Sequence, residues 1–398
     1  MKKYIKAAVT LLVLLVVYFL FQPVLVHNFG WKPFPKNLKS LENKVLKLQV
    51  DKIFSTEYLK LKTPALSISI RKNDSVLFNK TLGFADIENK IKATSQTKFR
   101  IGSVSKALTS GGLGVLLQNN KLKLNTSVND LFSDKYQKLS NLTIQELASH
   151  TSGIRNYETC FCFPIWEYYN NNKYESVEES VTIFAEDNLL FKPSTAFSYS
   201  SYNFTLLSLL MEKSSNKNFT SFMNEEVFTP LKMTNTSNNE KDNIAVFYQL
   251  ENDEFKKVFK INNSNKIAGG GFVSTPNDLT KFGSAILNNK LFNKEVQQQL
   301  FTPIKLLNGE INKQNYGLGW RIDETSKIFE RNRKVQIIHH GGVAMGSTAF
   351  LLLLPEYNIS AAIVMNSNTN KGAQKLSKIL YKIINELTHD DKVHSLKL

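Results

Sequence analysis

The sequence predicts an α/β body with a mostly helical lobe inserted into it. Three observations carry this: strand-like segments near both ends of the chain, helical patterns between them, and a closing amphipathic helix. From Leu38 to Tyr58 the apolar residues Leu41, Val45, Leu48 and Ile53 fall near helical spacing, and Pro64 stops the helix. Leu66, Ile68 and Ile70 then alternate with small or polar residues, the pattern of a half-buried strand. Asn73-Asp74 makes a turn and Val76-Leu77-Phe78 returns, giving a hairpin. Helical patterns dominate from about 104 to 255, including a capping box from Thr143 to Glu146 and a helix through Leu206 to Met211. Strands resume at Gly317 to Ile322, Val335 to His339, Ala349 to Leu354 and Ser360 to Val364, before a helix from about Ala373 to Leu387. A site is expected in the cleft between body and lobe. No internal repeat is visible.

The 398 residues suffice for one large core or two modest ones, and 42% apolar with 21% charged residues is an ordinary globular composition. The formal charge of +16 is spread over scattered lysines with no arginine-rich stripe, so it reads as a solvated surface rather than a nucleic-acid footprint. Cys160 and Cys162 are too few for a disulfide framework, and a C-x-C pair lacks the four ligands of a structural zinc site. At the N-terminus Lys2, Lys3 and Lys6 precede an apolar run from Ala7 to Phe21 that resumes at Val24 to Val26. No small-residue cleavage site follows it, so an uncleaved signal anchor over residues 1–27 is expected. The lysines would stay cytoplasmic, making this a single-pass cell-membrane protein with its folded part on the extracytoplasmic side. Residues 28–37, with Trp31, Pro33 and Pro35, read as a stalk, 38–388 as the folded domain and 389–398 as a tail.

Three segments carry candidate chemistry. In Ser103-Val104-Ser105-Lys106, residues i and i+3 share a helix face, so the amine reaches the hydroxyl. A lysine with a depressed pKa takes the serine proton, and a helix N-terminus favours the developing anion. The same spacing occurs at Ser69/Lys72, Ser95/Lys98 and Ser214/Lys217, but the first two lie in or near extended segments and the third at a polar helix end. Ser103 instead precedes a long apolar helix whose Gly111, Gly112 and Gly114 point to close packing against a neighbour. Tyr199-Ser200-Ser201 follows Pro193 and precedes a helix; beside a lysine cation, the phenolate of Tyr199 would become accessible as a proton shuttle. His340-Gly341-Gly342 precedes a strand, where glycines allow close approach to a ligand. His339 and His340 face opposite ways on a strand, and there is no H-e-x-x-H, so no metal or other cofactor is expected. The absence of a G-x-S-x-G elbow counts against an α/β-hydrolase.

The order of these elements resembles the serine β-lactamase and penicillin-binding protein superfamily, in particular its class C-like branch and, within that, the group of mitochondrial serine β-lactamase-like proteins and their bacterial relatives. The resemblance spans about residues 40 to 388. It rests on Phe99 to Lys106, Ser149-His150-Thr151-Ser152-Gly153-Ile154, Tyr199-Ser200-Ser201, Ala268-Gly269-Gly270-Gly271 with Ser274-Thr275, and His340-Gly341-Gly342. It implies a β-lactamase/transpeptidase-like fold, an antiparallel sheet flanked by helices. It further implies Ser103 as acylated nucleophile, Lys106 as its base and Tyr199 as proton shuttle. The backbone amides of Ser103 and Val343 would form the oxyanion hole, with Ser201, His340, Gly341 and Gly342 binding substrate. Where class C enzymes carry Asn and Lys, this chain has Ser201 and His340, which weakens the antibiotic-hydrolysing reading. The expected function is a serine hydrolase acting through an acyl-enzyme on a small peptide or ester, a peptidase before an esterase. A non-catalytic envelope-binding or filament-forming protein is the alternative from another class. The oligomeric state is left open.

Overall fold

The computed structural model describes residues 9–10, 13–14, 16–17, 38–133, 135–157, 167, 171–329 and 333–395. Most of the expected anchor, the stalk and both cysteines lie outside these residues. Among the described residues no helix is long and apolar enough to cross a membrane. By contact, residues 1–52 form one unit and 53–398 another, and the site belongs to the second. The helix Leu38–Leu61 runs across this boundary and ends ahead of Pro64.

The strands are β1 (Ala65–Lys72), β2 (Ser75–Asp86), β3 (Ile91–Lys92), β4 (Phe99–Arg100), β5 (Tyr248–Glu251), β6 (Glu254–Lys257), β7 (Val273–Ser274), β8 (Arg321–Thr325), β9 (Val335–Ala344), β10 (Ser347–Leu354), β11 (Ile359–Met365) and β12 (Ser367–Asn368). Seven form the main sheet, in the order β3-β2-β1-β11-β10-β9-β8, with every pair antiparallel. The N-terminal hairpin and the three last long strands thus meet at the β1–β11 pair, joining sequence ends that the helical lobe separates. β10 and β11 are buried along their whole lengths, because helices cover both faces. Gly283 of the helix Pro276–Leu287 touches Ser360 and Leu353, whereas Gly372 of the C-terminal helix Gly372–Ser395 touches Met365 and Thr348. These contacts fall on residues of opposite parity in each strand, hence on opposite faces.

β1 corrects one expectation. It is buried on both faces rather than half-buried, since its intervening serines are inside and satisfied. Ser67 Oγ is 2.7 Å from Thr81 Oγ1 and Ser69 Oγ is 3.0 Å from Thr280 Oγ1. The expected strand at Gly317 to Ile322 begins later, at Arg321, and a hairpin, β5–β6, falls at the end of the range read as helical. The Thr143–Glu146 capping box forms as expected.

The helix Val104–Gln118 runs through the core of the lobe, buried along nearly its whole length. Its three glycines are there for contact. A Cβ on Gly111 would sit 2.5 Å from the Phe282 ring, on Gly112 2.5 Å from Met223 Sδ, and on Gly114 2.5 Å from the Phe292 ring. Rings and sulfur occupy the space that side chains would need, so the helix is fixed against the lobe and the body. Its N-terminus carries the candidate nucleophile.

Candidate active site

Ser103 is the N-cap of this helix and Lys106 completes its first turn. Lys106 Nζ lies 3.4 Å from Ser103 Oγ, 3.0 Å from Ser201 Oγ and 2.6 Å from the Gly269 carbonyl oxygen. The lysine is fully buried, and among the described residues no carboxylate is within ion-pair distance of it. Burial first, and the Arg321 charge second, push its pKa well below the ordinary lysine value. A neutral amine has two protons and one lone pair, which matches these three neighbours. In that form it can donate to the carbonyl and to Ser201 and keep its lone pair for the proton of the Ser103 hydroxyl.

Tyr199 is half-buried, and its ring centroid is 4.7 Å from Lys106 Nζ. Burial raises its pKa, against the pull of Arg321 and of a side-chain hydrogen bond with Ser103. This corrects the expectation of an accessible phenolate beside a lysine cation. Both shifts favour the uncharged forms of the amine and the phenol. The Ser103 hydroxyl and the Lys106 amine, one helix turn apart, thus meet the phenol of Tyr199, distant from both in sequence.

The backbone geometry at the expected oxyanion hole is equally close. Gly102, at φ +49°, packs so tightly on Val343 that a Cβ there would be 2.7 Å from the Val343 nitrogen. A Cβ on Gly342 would be 1.9 Å from the Ile101 carbonyl oxygen and 3.0 Å from the Val104 nitrogen. Two glycines thus let the β9 backbone lie directly against the start of the nucleophile helix. β8 pairs with β9 only from Thr325↔Val335 to Arg321↔His339, so residues 340–344 extend past their neighbour on that side. Val343 is among the exposed apolar residues.

His340 and Ser201 are brought to the site, and both are buried with partners inside the protein. His340 is fully buried; its Nδ1 lies 2.7 Å from the Gly341 carbonyl oxygen and its Nε2 2.9 Å from Tyr316 Oη. Nδ1 therefore carries the proton and Nε2 accepts from the phenol. Burial, then Arg321 and Lys106, hold its pKa well below the ordinary histidine value, so the ring is uncharged. Ser201 is also buried: its hydroxyl meets the lysine and its amide donates to Asn156 Oδ1 at 2.8 Å. Gly341 offers its carbonyl to the His340 ring.

Three residues that the sequence left without a role frame the site. His150, at φ +63° on the C-cap of the helix Ile144–Ser149, lies 4.3 Å from the Tyr199 ring and 4.7 Å from the Tyr316 ring, centroid to centroid. Its Nδ1 accepts from the Ser200 amide at 3.2 Å, which fixes the backbone beside Tyr199. Tyr316 caps His340. Arg321 places its Cζ 5.4 Å from the centroids of both Tyr199 and Tyr316. Arg321 directly follows the Gly317-Leu318-Gly319-Trp320 run. Gly319, at φ +86°, touches the Lys106 carbonyl oxygen and Ser110. Among the described residues no cluster of three His, Cys, Asp or Glu side chains is placed to share a metal ion.

The depressed bases make stability depend on pH with a definite sign. His150 and His340 lie well below the ordinary histidine value, Lys106 well below the lysine value, and Lys266 is lowered to about 7, mainly by burial. Each binds its proton more readily in the unfolded chain, so each favours folding less as pH falls. The histidine part is lost below about pH 6.5 and the Lys266 part between about 10 and 7. Tyr199 and Tyr316, both raised, act oppositely above about pH 10. Urea titrations should show a higher midpoint at pH 9 than at pH 6; equal midpoints or the reverse order would contradict the buried, uncharged state of these groups.

A serine and a lysine one turn apart, at the head of a lobe helix beside the edge of an antiparallel sheet, define a serine hydrolase related to β-lactamases and penicillin-binding proteins. The chain belongs to the Beta-lactamase family, which it matches over residues 50–382. It is 28% identical over 380 residues to the serine beta-lactamase-like protein LACTB, mitochondrial, of Homo sapiens, covering 74% of this chain and 69% of that protein. It is 28% identical over 348 residues to protein flp of Staphylococcus aureus strain N315, covering 85% of this chain and 66% of that one, so it spans about two thirds of these relatives. Among solved structures it resembles the D-amino acid amidase of Ochrobactrum anthropi SV3 complexed with D-phenylalanine. That match has a TM-score of 0.71 and 18% identity over 86% of this chain and 99% of the other, which is a likeness of fold.

Proposed function

We propose that this chain hydrolyses an amide through a Ser103 acyl-enzyme, as a peptidase on short peptides or peptides of D-amino acids. The observation that carries the reading is the buried Lys106 amine 3.4 Å from Ser103 Oγ, its pKa pushed well below the ordinary lysine value by burial. Ser103 Oγ attacks the carbonyl carbon while its proton passes to Lys106 Nζ. The carbonyl oxygen becomes an anion in front of the Ser103 and Val343 amides, at the positive end of the helix dipole. As the carbon–nitrogen bond breaks, the leaving amine takes a proton through Tyr199, whose neutral phenol is a donor, and Lys106 restores it. Water then enters, gives its proton to the same relay and releases the acid and Ser103. The bond of Tyr199 to Ser103 supports the relay, and a donor for an amine leaving group favours amide over ester.

The chemistry of the substrate side is a departure from class C enzymes, since His340 presents no charge and Ser201 serves the lysine. The amidase whose fold this chain shares is named for D-amino acid amides, which supports testing that class. The membrane anchor over residues 1–27, with the domain outside the cell, remains part of the proposal on the strength of the Lys-flanked apolar run.

A panel of short L- and D-peptides, aminoacyl amides and matched esters, assayed with wild type and Ser103→Ala, tests the reading. Turnover of amides by wild type, lost in the variant, is the expected result. Turnover of esters alone would make it an esterase, and turnover of nothing by folded wild type would leave a binding protein.

A further inference from the structure

We infer that Arg321 is the fixed positive charge against which the Lys106–Tyr199 pair is set, a positioning residue for acylation that need touch no substrate. This rests on the acyl-transfer reading above and adds the residue that prepares its base.

The geometry starts from one ring that faces two cationic side chains. The Tyr199 centroid is 4.7 Å from Lys106 Nζ and 5.4 Å from Arg321 Cζ. Two full charges there would repel across a buried, weakly screened space. An arginine side chain keeps its proton in proteins, whereas a buried lysine readily gives it up. The lysine is therefore the one that is uncharged, which is the form acylation requires. The same guanidinium, beside the Tyr199 ring, also favours negative charge on the phenol when a proton passes through it.

The surroundings leave most of the Arg321 charge uncompensated, although Asp323 is near enough to feel it. Its Nη2 donates to the neutral Gln314 Oε1 at 2.7 Å, and among the described residues no carboxylate is within ion-pair distance of it. The nearby acid, Asp323, is bonded to His339 Nε2 at 2.9 Å and to Asn315 Nδ2 at 2.8 Å. The other titratable groups around Arg321 are Lys106, His150, Tyr199, Tyr316, His339 and His340. Of these, His150 and His340 are held uncharged by burial. The placement is also rigid. A Cβ on Gly319 would be 3.0 Å from the Lys106 carbonyl oxygen and 2.7 Å from Ser110 Cβ, so the chain leading into Arg321 is seated on the nucleophile helix itself.

The test is the rate at which a fluorophosphonate labels Ser103 in the full chain, measured from pH 5.5 to 10 for wild type and for Arg321→Gln, Arg321→Met and Arg321→Lys. Wild-type labelling rises with pH through one midpoint as Lys106 loses its proton. Without the guanidinium that midpoint should move up by about one pH unit, lowering the rate near neutrality about tenfold. Lys at 321 should recover most of the shift. Met keeps an apolar stem against the two rings and replaces Gln should the latter not fold, with folding checked by urea titration. An unchanged midpoint in the Gln or Met variant, or a Lys variant no better than Gln, overturns the inference. Absence of label in folded wild type overturns the acyl-transfer reading instead, so the two failures are distinct.

Discussion

Replacing Lys106 by Met should cut turnover and Ser103 labelling about 10³-fold, the usual worth of a positioned base, and should change stability in a direction that depends on pH. Near about pH 11.5, above the ordinary lysine pKa, the lysine is largely uncharged in both folded and unfolded chains. There the variant only loses the bonds to Gly269 and Ser201 and leaves a buried carbonyl oxygen without that donor. As pH falls toward 7 the unfolded wild-type lysine takes up a proton that the folded one refuses, because burial and Arg321 hold its pKa down. Wild type therefore loses stability over this interval and the methionine variant does not. The difference between variant and wild type should move in the variant's favour from about pH 11.5 to about pH 7, read as the change in urea midpoint. A difference independent of pH would mean that the folded lysine is charged.

Gly342→Ala should damage function and fold together. The added methyl group would lie 1.9 Å from the Ile101 carbonyl oxygen and 3.0 Å from the Val104 nitrogen, both backbone atoms that no rotamer moves aside. Relief requires β9 to withdraw from the head of the nucleophile helix, taking the Val343 amide away from Ser103. The acylation rate should fall on the order of 10²- to 10³-fold, as when one oxyanion donor is removed, with a loss of about 1–3 kcal/mol of stability from overpacking. Gly309→Ala is the control. It has a positive φ of +85° but nothing within 4 Å of its new Cβ, so it carries only the backbone strain of about 1 kcal/mol and should label at the wild-type rate. Full acylation by Gly342→Ala would separate the strand from the oxyanion role.

Which parts of this could be seen in the residues alone follows from the range over which each part acts. Ser103 and Lys106 are three apart on one helix, so local geometry alone puts them together, and the three glycines after them announced the crowding that fixes the helix. At the C-terminus β10, β11 and the closing helix were visible because they have clear apolar patterns. Arg321 could not be seen, since its partners Tyr199 and Lys106 lie over a hundred and over two hundred residues away and only the folded sheet brings them to it. The burial of His340 was out of view for a similar reason. Strand parity says which face a histidine occupies but not that Tyr316 closes over it. The bond from the Lys106 amine to Ser201 was likewise out of view, because only the fold brings that buried lysine to it. In β1, Ser67 and Ser69 suggested a wet face until Thr81 and Thr280 supplied their partners.

The central claim is that an uncharged amine at position 106 makes the Ser103 hydroxyl the acylated atom. Its most direct test is the mass of the intact protein after exposure to an acylating amide or fluorophosphonate at neutral pH, followed by mapping of the modified peptide. One adduct, on the peptide containing Ser103 and on that side chain, with none in Ser103→Ala or Lys106→Met over the same interval, is the result expected. An adduct on Ser105, Ser201 or another residue, or equal modification of the Lys106→Met protein, would contradict it.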